Sequence, residues 1–422
     1  MIGGFKKCLN NILSKGKEVV WIINQFAGHP ESGWGERHFY LAKPALAKYR
    51  IVIISSGNNH MFTQKINFKG IFVIQNYEGV EFCWVKIPSY NPQSFSRFFA
   101  MFVFSINLLL LLFKTKQLGR PSFLLVSSMS IFPFPVARFL KWALKAKRLS
   151  FEVRDLWPLT PIYLMGYSKK NPMIWLIGVL EKYAYKNADS IISLLEESKN
   201  YINAISKRPE AFYWVPNGVA EFKLSPNNEI IQEIKQRLPK EKLVVCYAGT
   251  IGFANALDSY IEVIKKSSKI QEDFFFLFIG DGYLKNKYQE LLKENNNVLF
   301  IGKQKKWDIP GLLSFADVCF ISWHKSPLYD YGVSANKYFD YMASGKPILA
   351  AHYGIKDPVA KSGCGIIVGN EYELIEDGLM KFKSLSVSER NSMGEIGKDY
   401  VSKQHAYTNL SLDFFKAINN NE

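Results

Sequence analysis

Along this chain, short and nearly unbroken apolar runs alternate with longer stretches in which apolar residues return every third or fourth position. The runs at 19–24, 51–55, 71–75, 80–87, 123–127, 149–154, 190–194 and 212–215 read as strands. Strands apolar on both faces belong to a sheet covered on both sides, which implies parallel pairing through helical crossovers. The stretches at 36–48, 172–186 and 196–205 carry the helical period that supplies such cover. A second alternating series follows, with strands at 243–248, 274–279, 298–301, 318–322 and 348–351 and helices at 257–266 and 284–295. From about residue 388 the chain is helical and amphipathic, with Tyr400, Tyr407, Phe414 and Phe415. The expected fold class is α/β, built on two doubly wound parallel sheets. The turn Pro216-Asn217-Gly218-Val219 separates the two series. The expected organisation is a basic extension (1–17), a first domain (18–216), a second domain (217–395) and a terminal helical segment (396–422).

Charge sharpens that division. Net charge is +16, yet residues 1–216 hold 28 Lys+Arg against 12 Asp+Glu, and residues 217–422 hold 25 of each. A basic half and a neutral half face different partners. The basic half is rich in aromatic residues and contains no nucleic-acid-reading motif, which points to an anionic membrane surface and away from nucleic acid. Its apolar run at 98–113 is sixteen residues long, short of the roughly twenty that span a bilayer. It reads as a buried helix or as an interfacial one. In the segment 135–148, Arg138, Lys141, Lys145, Lys147 and Arg148 ride with Phe139, Trp142 and Leu144. That pattern suits a membrane-surface helix, and equally a solvated helix face packed on the sheet. Residues 1–17 lack the apolar core of a secretory signal. Cys8, Cys83, Cys246, Cys319 and Cys364 are scattered without paired spacing, as reduced thiols of a cytoplasmic protein are. The six histidines show no ligand spacing, so no metal is expected.

The polar residues with chemical potential cluster where strands end. After the first strand, Gly33 and Gly35 lie in a loop before a helix, where a backbone can approach an anion or make a plain tight turn. The loop does not match GxGxxG, so the dinucleotide fingerprint is absent. Arg154 ends the strand at 149–154 and Asp155 follows it, at the carboxyl edge where open α/β sheets bind ligands; a structural ion pair is the alternative. In the second half, successive strands end in Gly249-Thr250-Ile251-Gly252, in Gly280-Asp281-Gly282 and in Gly302-Lys303-Gln304. A fourth leads to the stretch 331–347, in which Ser334 is a candidate N-cap and Asn336, Lys337 and Asp340 share one side of a short helix. Free amides at residues 333–336, Val333 and Ser334 among them, with Lys337 suit a diphosphate, and the Asp340 carboxylate suits ribose hydroxyls; an ordinary helix–strand unit with solvated polar residues fits the spacing equally.

With these loops in order, the chain resembles a GT-B glycosyltransferase of family 4. The resemblance is carried by Tyr247-Ala-Gly-Thr-Ile-Gly252, Ile279-Gly-Asp-Gly282, Ile301-Gly302, Ala316-Asp317-Val318 and Asn336-Lys337-Tyr338-Phe339-Asp340 through Pro347. Gly33-Trp-Gly-Glu-Arg37, Phe151-Glu-Val-Arg-Asp-Leu-Trp-Pro158 and Val215-Pro-Asn-Gly-Val219 are similar to its WbuB-like branch, the N-acetyl-L-fucosaminyltransferase-like enzymes of O-antigen and capsule assembly. Likeness covers nearly all of the chain beyond residue 17.

The resemblance implies two Rossmann-like domains facing across a cleft, with the terminal helix crossing back to the first. It implies a UDP-sugar donor on the second domain and a polyprenyl-diphosphate-linked glycan acceptor on the first. It further implies retention of anomeric configuration, no metal or other cofactor, and a cytoplasmic protein peripheral on the inner face of the plasma membrane. Asp340 matches the second glutamate of the family's E-x7-E motif; the position of the first is Gly332, a departure. The basic pair that often follows the first strand of the donor domain is replaced by Phe253-Ala254-Asn255. The expected catalytic set is therefore Asp155, Lys337 and Asp340. The expected donor contacts are the glycine loops, Thr250, Lys303, Gln304, Val333, Ser334 and Asn336. A sugar-nucleotide epimerase or a non-catalytic glycan-binding protein on the same fold are the alternatives.

Overall fold

The computed structural model describes residues 16–63, 66–91, 94, 96–220 and 228–420. Most of the basic extension, with Cys8, therefore lies outside the described residues. The chain divides into two compact units: residues 1–216 with 407–422, and residues 217–406.

Unit 1 holds one eight-stranded sheet. Its strands are β1 (Glu18–Ile23), β2 (Tyr49–Ser56), β3 (Phe72–Tyr77), β4 (Val80–Val85), β5 (Phe123–Ser127), β6 (Arg148–Val153), β7 (Ser190–Ser193) and β8 (Phe212–Trp214). The order across the sheet is β3-β4-β2-β1-β5-β6-β7-β8. All pairs are parallel except β3–β4, a hairpin closed by Glu78 and Gly79. Both turn residues have positive φ (49° and 94°), so the reversal takes two residues and β3 becomes a half-exposed edge. The terminal helix, Tyr407–Asn419, lies on the helix Arg37–Ala45, with the Ser411 hydroxyl donating to the Leu41 carbonyl at 2.7 Å and Phe415 stacked on Tyr49.

The apolar run at 98–113 is neither a fully buried helix nor a free one. Helix runs from Ser96 to Leu118, with a 3-10 stretch at Leu108–Lys114, and is long and apolar enough to cross a membrane by length and composition. Ala100, Met101, Phe104, Leu108 and Leu111 are buried, whereas Phe99, Phe102, Ile106, Leu109 and Phe113 are exposed.

Unit 2 holds a six-stranded, all-parallel sheet. Its strands are β9 (Leu243–Ala248), β10 (Phe274–Ile279), β11 (Val298–Ile301), β12 (Val318–Ser322), β13 (Ile348–Ala351) and β14 (Gly365–Val368), in the order β11-β10-β9-β12-β13-β14. Alternate residues of β10 enter opposite cores: Phe275, Leu277 and Ile279 pack with Tyr338, Phe339 and Met342, and Phe274, Phe276 and Phe278 pack with Tyr260, Ile264 and Tyr288. Double-sided burial explains why the strand reads as a continuous apolar run. The expected boundary at 395/396 falls inside an unbroken helix, Val387–Gln404, so the chain instead leaves unit 2 after Ala406. That helix is held to its own unit by close approach: a Cβ on Gly394 would lie 2.0 Å from the Gly345 carbonyl oxygen.

Candidate functional site

From β9 the chain proceeds outward in one direction through β10 and β11, and from β12 outward in the other through β13 and β14. The topological switch point is the gap between β9 and β12, and ligands of open α/β sheets lie beyond the carboxyl ends of the strands there. The loops after both strands meet the helix Asn336–Ala343.

Lys337, in the first turn of that helix, is the centre of the arrangement. Its ammonium donates to the Asn255 side-chain oxygen and, at 3.3 Å, to the Tyr247 hydroxyl. It also lies 4.9 Å from the Tyr247 ring centroid and 5.6 Å from that of Trp323. Among the described residues it has no carboxylate partner. Burial therefore acts unopposed and pushes its pKa down from the ordinary lysine value to about 7. Neutral groups and two aromatic rings are thus its surroundings. Tyr247 is itself fixed by donating to the Thr250 carbonyl at 2.6 Å.

Asp340, one turn further along, pairs with Lys306 from the segment after β11. Gln304, on the same loop, donates to the Gly302 carbonyl, and Lys303 is exposed beside it. Gly249 faces Lys337: a Cβ there would lie 3.7 Å from the lysine Cε. Gly280 and Gly282 serve another purpose. A Cβ on Gly280 would stand 2.0 Å from the Gly249 carbonyl oxygen, and one on Gly282 would stand 2.1 Å from that of Ile251. These two glycines let the β9 and β10 loops interlock. Gly252 is backed by the Tyr283 ring, and Thr250 is exposed.

Ser334 is not the helix cap. The N-cap is Ala335, without a side-chain bond, because the Ser334 hydroxyl is engaged by the Asn217 amide at 2.9 Å and its carbonyl by the Asn217 side chain at 2.6 Å. Val333 packs its side chain on the core, and Asn336 is exposed. The Tyr338 amide donates to the Ala335 carbonyl at 3.2 Å, and the amides of Asn336 and Lys337 before it lie at the positive end of the helix dipole. Gly332 has φ +89°, and a Cβ added there would meet nothing within 4 Å, so backbone conformation, not crowding, disfavours a side chain at this position.

In unit 1, Gly33 caps a 3-10 turn in the left-handed region, with its amide donating to Pro30, and a Cβ on Gly35 would lie 2.2 Å from the Phe26 carbonyl oxygen. Behind this loop lies a buried polar network. Glu152 accepts from Arg37 Nε at 2.9 Å, His38 Nε2 at 2.8 Å and the Ser127 hydroxyl at 2.5 Å. Asn24 Nδ2 lies 3.2 Å from His38 Nδ1. Burial opposes charge on Glu152, but His38 and Arg37 together hold its carboxyl well below the ordinary range. Arg37 also donates to the carbonyls of Val215 and Pro216. Asp155 follows β6 and is half-buried; burial raises its pKa, against the opposing fields of Arg154 and Arg97. The structure thus gathers Gly249, Lys337 and Asp340 with the loops of unit 2, and places Asp155, Gly33 and Gly35 in unit 1.

The pattern of the chain does not reveal Tyr247, Asn255 and Trp323 as partners of Lys337, nor any role for Arg37, His38 and Glu152. Arg37 and Glu152 stand inside motifs that carry the resemblance, but a contact 115 residues apart leaves no local signal.

Residues 229–400 match the Glycosyl transferases group 1 family. The chain is 27% identical over 145 residues to TuaH of Bacillus subtilis, named as a putative teichuronic acid biosynthesis glycosyltransferase, a stretch covering 34% of this chain and 35% of that protein. Such matches span about a third of the length of the curated relatives concerned. Among solved structures, sucrose-phosphate synthase from Thermosynechococcus elongatus aligns with TM-score 0.70 and 14% identity over 95% of this chain and 98% of that one. The Anabaena protein HepE, in complex with UDP and glucose, aligns with TM-score 0.61 and 13% identity over 94% and 98%. The fold is GT-B, with two parallel-sheet α/β units.

Proposed function

We propose that this protein is a retaining glycosyltransferase that moves a sugar from a UDP-sugar to a lipid-linked glycan. The observation that carries the reading is Lys337: an ammonium with no carboxylate partner among the described residues, set in an aromatic niche in the first turn of a helix, at the switch point of the unit 2 sheet. The family match over 229–400 and the UDP complex of a structural neighbour support it. Lys337 and the adjoining helix amides take the diphosphate, and Asp340 exchanges Lys306 for the ribose hydroxyls.

In the reaction, the bond between the anomeric carbon and the phosphate oxygen breaks while the acceptor hydroxyl bonds to that carbon on the same face. The acceptor proton passes to a phosphate oxygen of the departing UDP. Charge develops at the diphosphate, where a fixed cation and amides are worth most. Asp155 is the carboxylate of unit 1 that orients the acceptor hydroxyl or the sugar, and the half-buried setting that raises its pKa suits a hydrogen-bonding group. The donor sugar is an N-acetylated amino or deoxy-amino sugar, as in the WbuB-like enzymes of O-antigen and capsule assembly. The acceptor is polyprenyl-diphosphate-linked, and the protein works as a peripheral membrane protein on the cytoplasmic face of the plasma membrane.

Gly332 favours a second reading, a binding protein without turnover, because the family's sugar-facing carboxylate is missing. Incubation with a panel of UDP-sugars and a polyprenyl-diphosphate sugar separates them. Formation of a glycosylated lipid supports transfer, UDP binding without product supports the second reading, and absence of UDP binding rejects both.

A further inference from the structure

A cleft in unit 1, lined by basic and aromatic residues, lies far in sequence from the donor residues. It measures about 760 Å³ and is bordered by Arg138, Lys141, Lys145, Phe139, Trp142 and Tyr183. Its walls are the helices Pro133–Ala143 and Pro172–Asn187, which pack against each other, and the first also packs on helix Ser96–Asn107. We propose that this cleft binds the phosphate of an anionic phospholipid headgroup, while the aromatic residues around it sink into the bilayer interface.

Two observations choose the occupant. The first is charge. From residue 82 to residue 151 the chain carries ten Lys and Arg and not one Asp or Glu. Lys141 is partly neutralised by Asp189 at 2.6 Å, but Arg138 and Lys145 form no ion pair among the described residues. The second is exposed apolar surface on the same three helices. Phe99, Phe102 and Ile106 recur at intervals of three and four in the α-helical part, which aligns them on one face, and Leu109 and Phe113 are exposed in the 3-10 stretch that follows. Phe113 is 81% exposed, Trp142 76% and Trp175 66%. An acidic soluble partner would match the charge but not this apolar stripe. A bilayer with anionic headgroups matches both. The proposal deepens the membrane part of the function proposed above and rests on no residue of the donor site.

The test uses the full chain and sedimentation with vesicles of phosphatidylcholine, alone or with about 30% phosphatidylglycerol. Each basic residue near an anionic surface adds roughly a factor of five in affinity. The doubly substituted Arg138→Ala, Lys145→Ala protein is expected to lose about 25-fold in partitioning to anionic vesicles, and the wild type to bind more weakly as salt rises. Brominated lipid is expected to quench tryptophan fluorescence of the wild type, and less so in Trp142→Ser. UDP-dependent thermal stabilisation, run on each variant, reports that it is folded and tests the donor site separately. Equal partitioning of the double variant and wild type, or equal binding to neutral and anionic vesicles, overturns the proposal. So does saturable protection of the cleft by soluble glycerol phosphate with vesicle-like affinity, which would assign it to a free phosphate ester.

Discussion

Lys337 illustrates how surroundings turn a common residue into a site. Its folded-state pKa, about 7, lies below the ordinary lysine value of 10.5. Between those values the unfolded chain binds more protons than the folded one, so Lys337 makes the ligand-free protein more stable as pH rises through that window. A bound diphosphate restores the charged form. UDP binding at pH 8 is therefore expected to take up close to one proton, read by calorimetry in buffers of different ionisation enthalpy, and Lys337→Met is expected to abolish that uptake. The same variant is expected to lower kcat/KM by about 10²–10³-fold, the cost of losing one donor to a developing oxyanion. Asp340→Ala acts on binding: a hydrogen bond to a charged group contributes about 1.5–3 kcal/mol, so donor affinity should fall roughly 10- to 150-fold with a smaller change in kcat. In unit 1, Glu152→Ala leaves Arg37 buried without its counter-charge, and an expected loss of about 3–5 kcal/mol should be visible in urea unfolding. None of these partnerships is local. Lys337 stands out in the sequence by its place in a short helix, but Tyr247 and Asn255 lie 90 and 82 residues away in the chain.

Among elements, those buried on both faces are the most legible. The runs at 243–248, 274–279, 298–301, 318–322 and 348–351 coincide with β9 to β13, because a strand enclosed by helices must be apolar at every position. β14 is not legible in the same way. It lies at the edge of the sheet and is only half-buried, so its four residues carry a weak apolar signal. The helices Asn228–Arg237 and Tyr372–Ser384 escape the sequence pattern for the related reason that only one face of each needs to be apolar. Glycine positions are legible, but not their use. In sequence, Gly280 reads as making room for a ligand, whereas it makes room for the neighbouring loop. A Gly280→Ala change should destabilise by roughly 1–3 kcal/mol through overpacking, measurable in urea. It should weaken UDP binding as the β9 loop shifts.

Over the whole molecule, the basic excess belongs to residues 1–216 and the family match to residues 229–400. Ligand binding adds stability by mass action, about 2.7 kcal/mol at a hundredfold excess over Kd. For a unit of this size that corresponds to a rise in Tm of roughly 5–10 °C, expected with UDP and absent in Lys337→Met if the ammonium supplies most of the affinity. The sequence alone determined the α/β class, the change of unit near Pro216, the strand-end loops and the short helix bearing Lys337 and Asp340. Each of these is written in periodicity or in residues close together in the chain, where local backbone preference and burial pattern act directly. Only the tertiary structure decided that Ser334 braces Asn217 and caps nothing, and that Asp340 is held by Lys306. It likewise decided which side of the helix at 96–118 is covered, and that the Lys337 ammonium has aromatic walls and, among the described residues, no carboxylate. Those outcomes depend on groups tens to hundreds of residues apart meeting at fixed distances, and the free energy of such meetings has no counterpart in the local pattern of the chain.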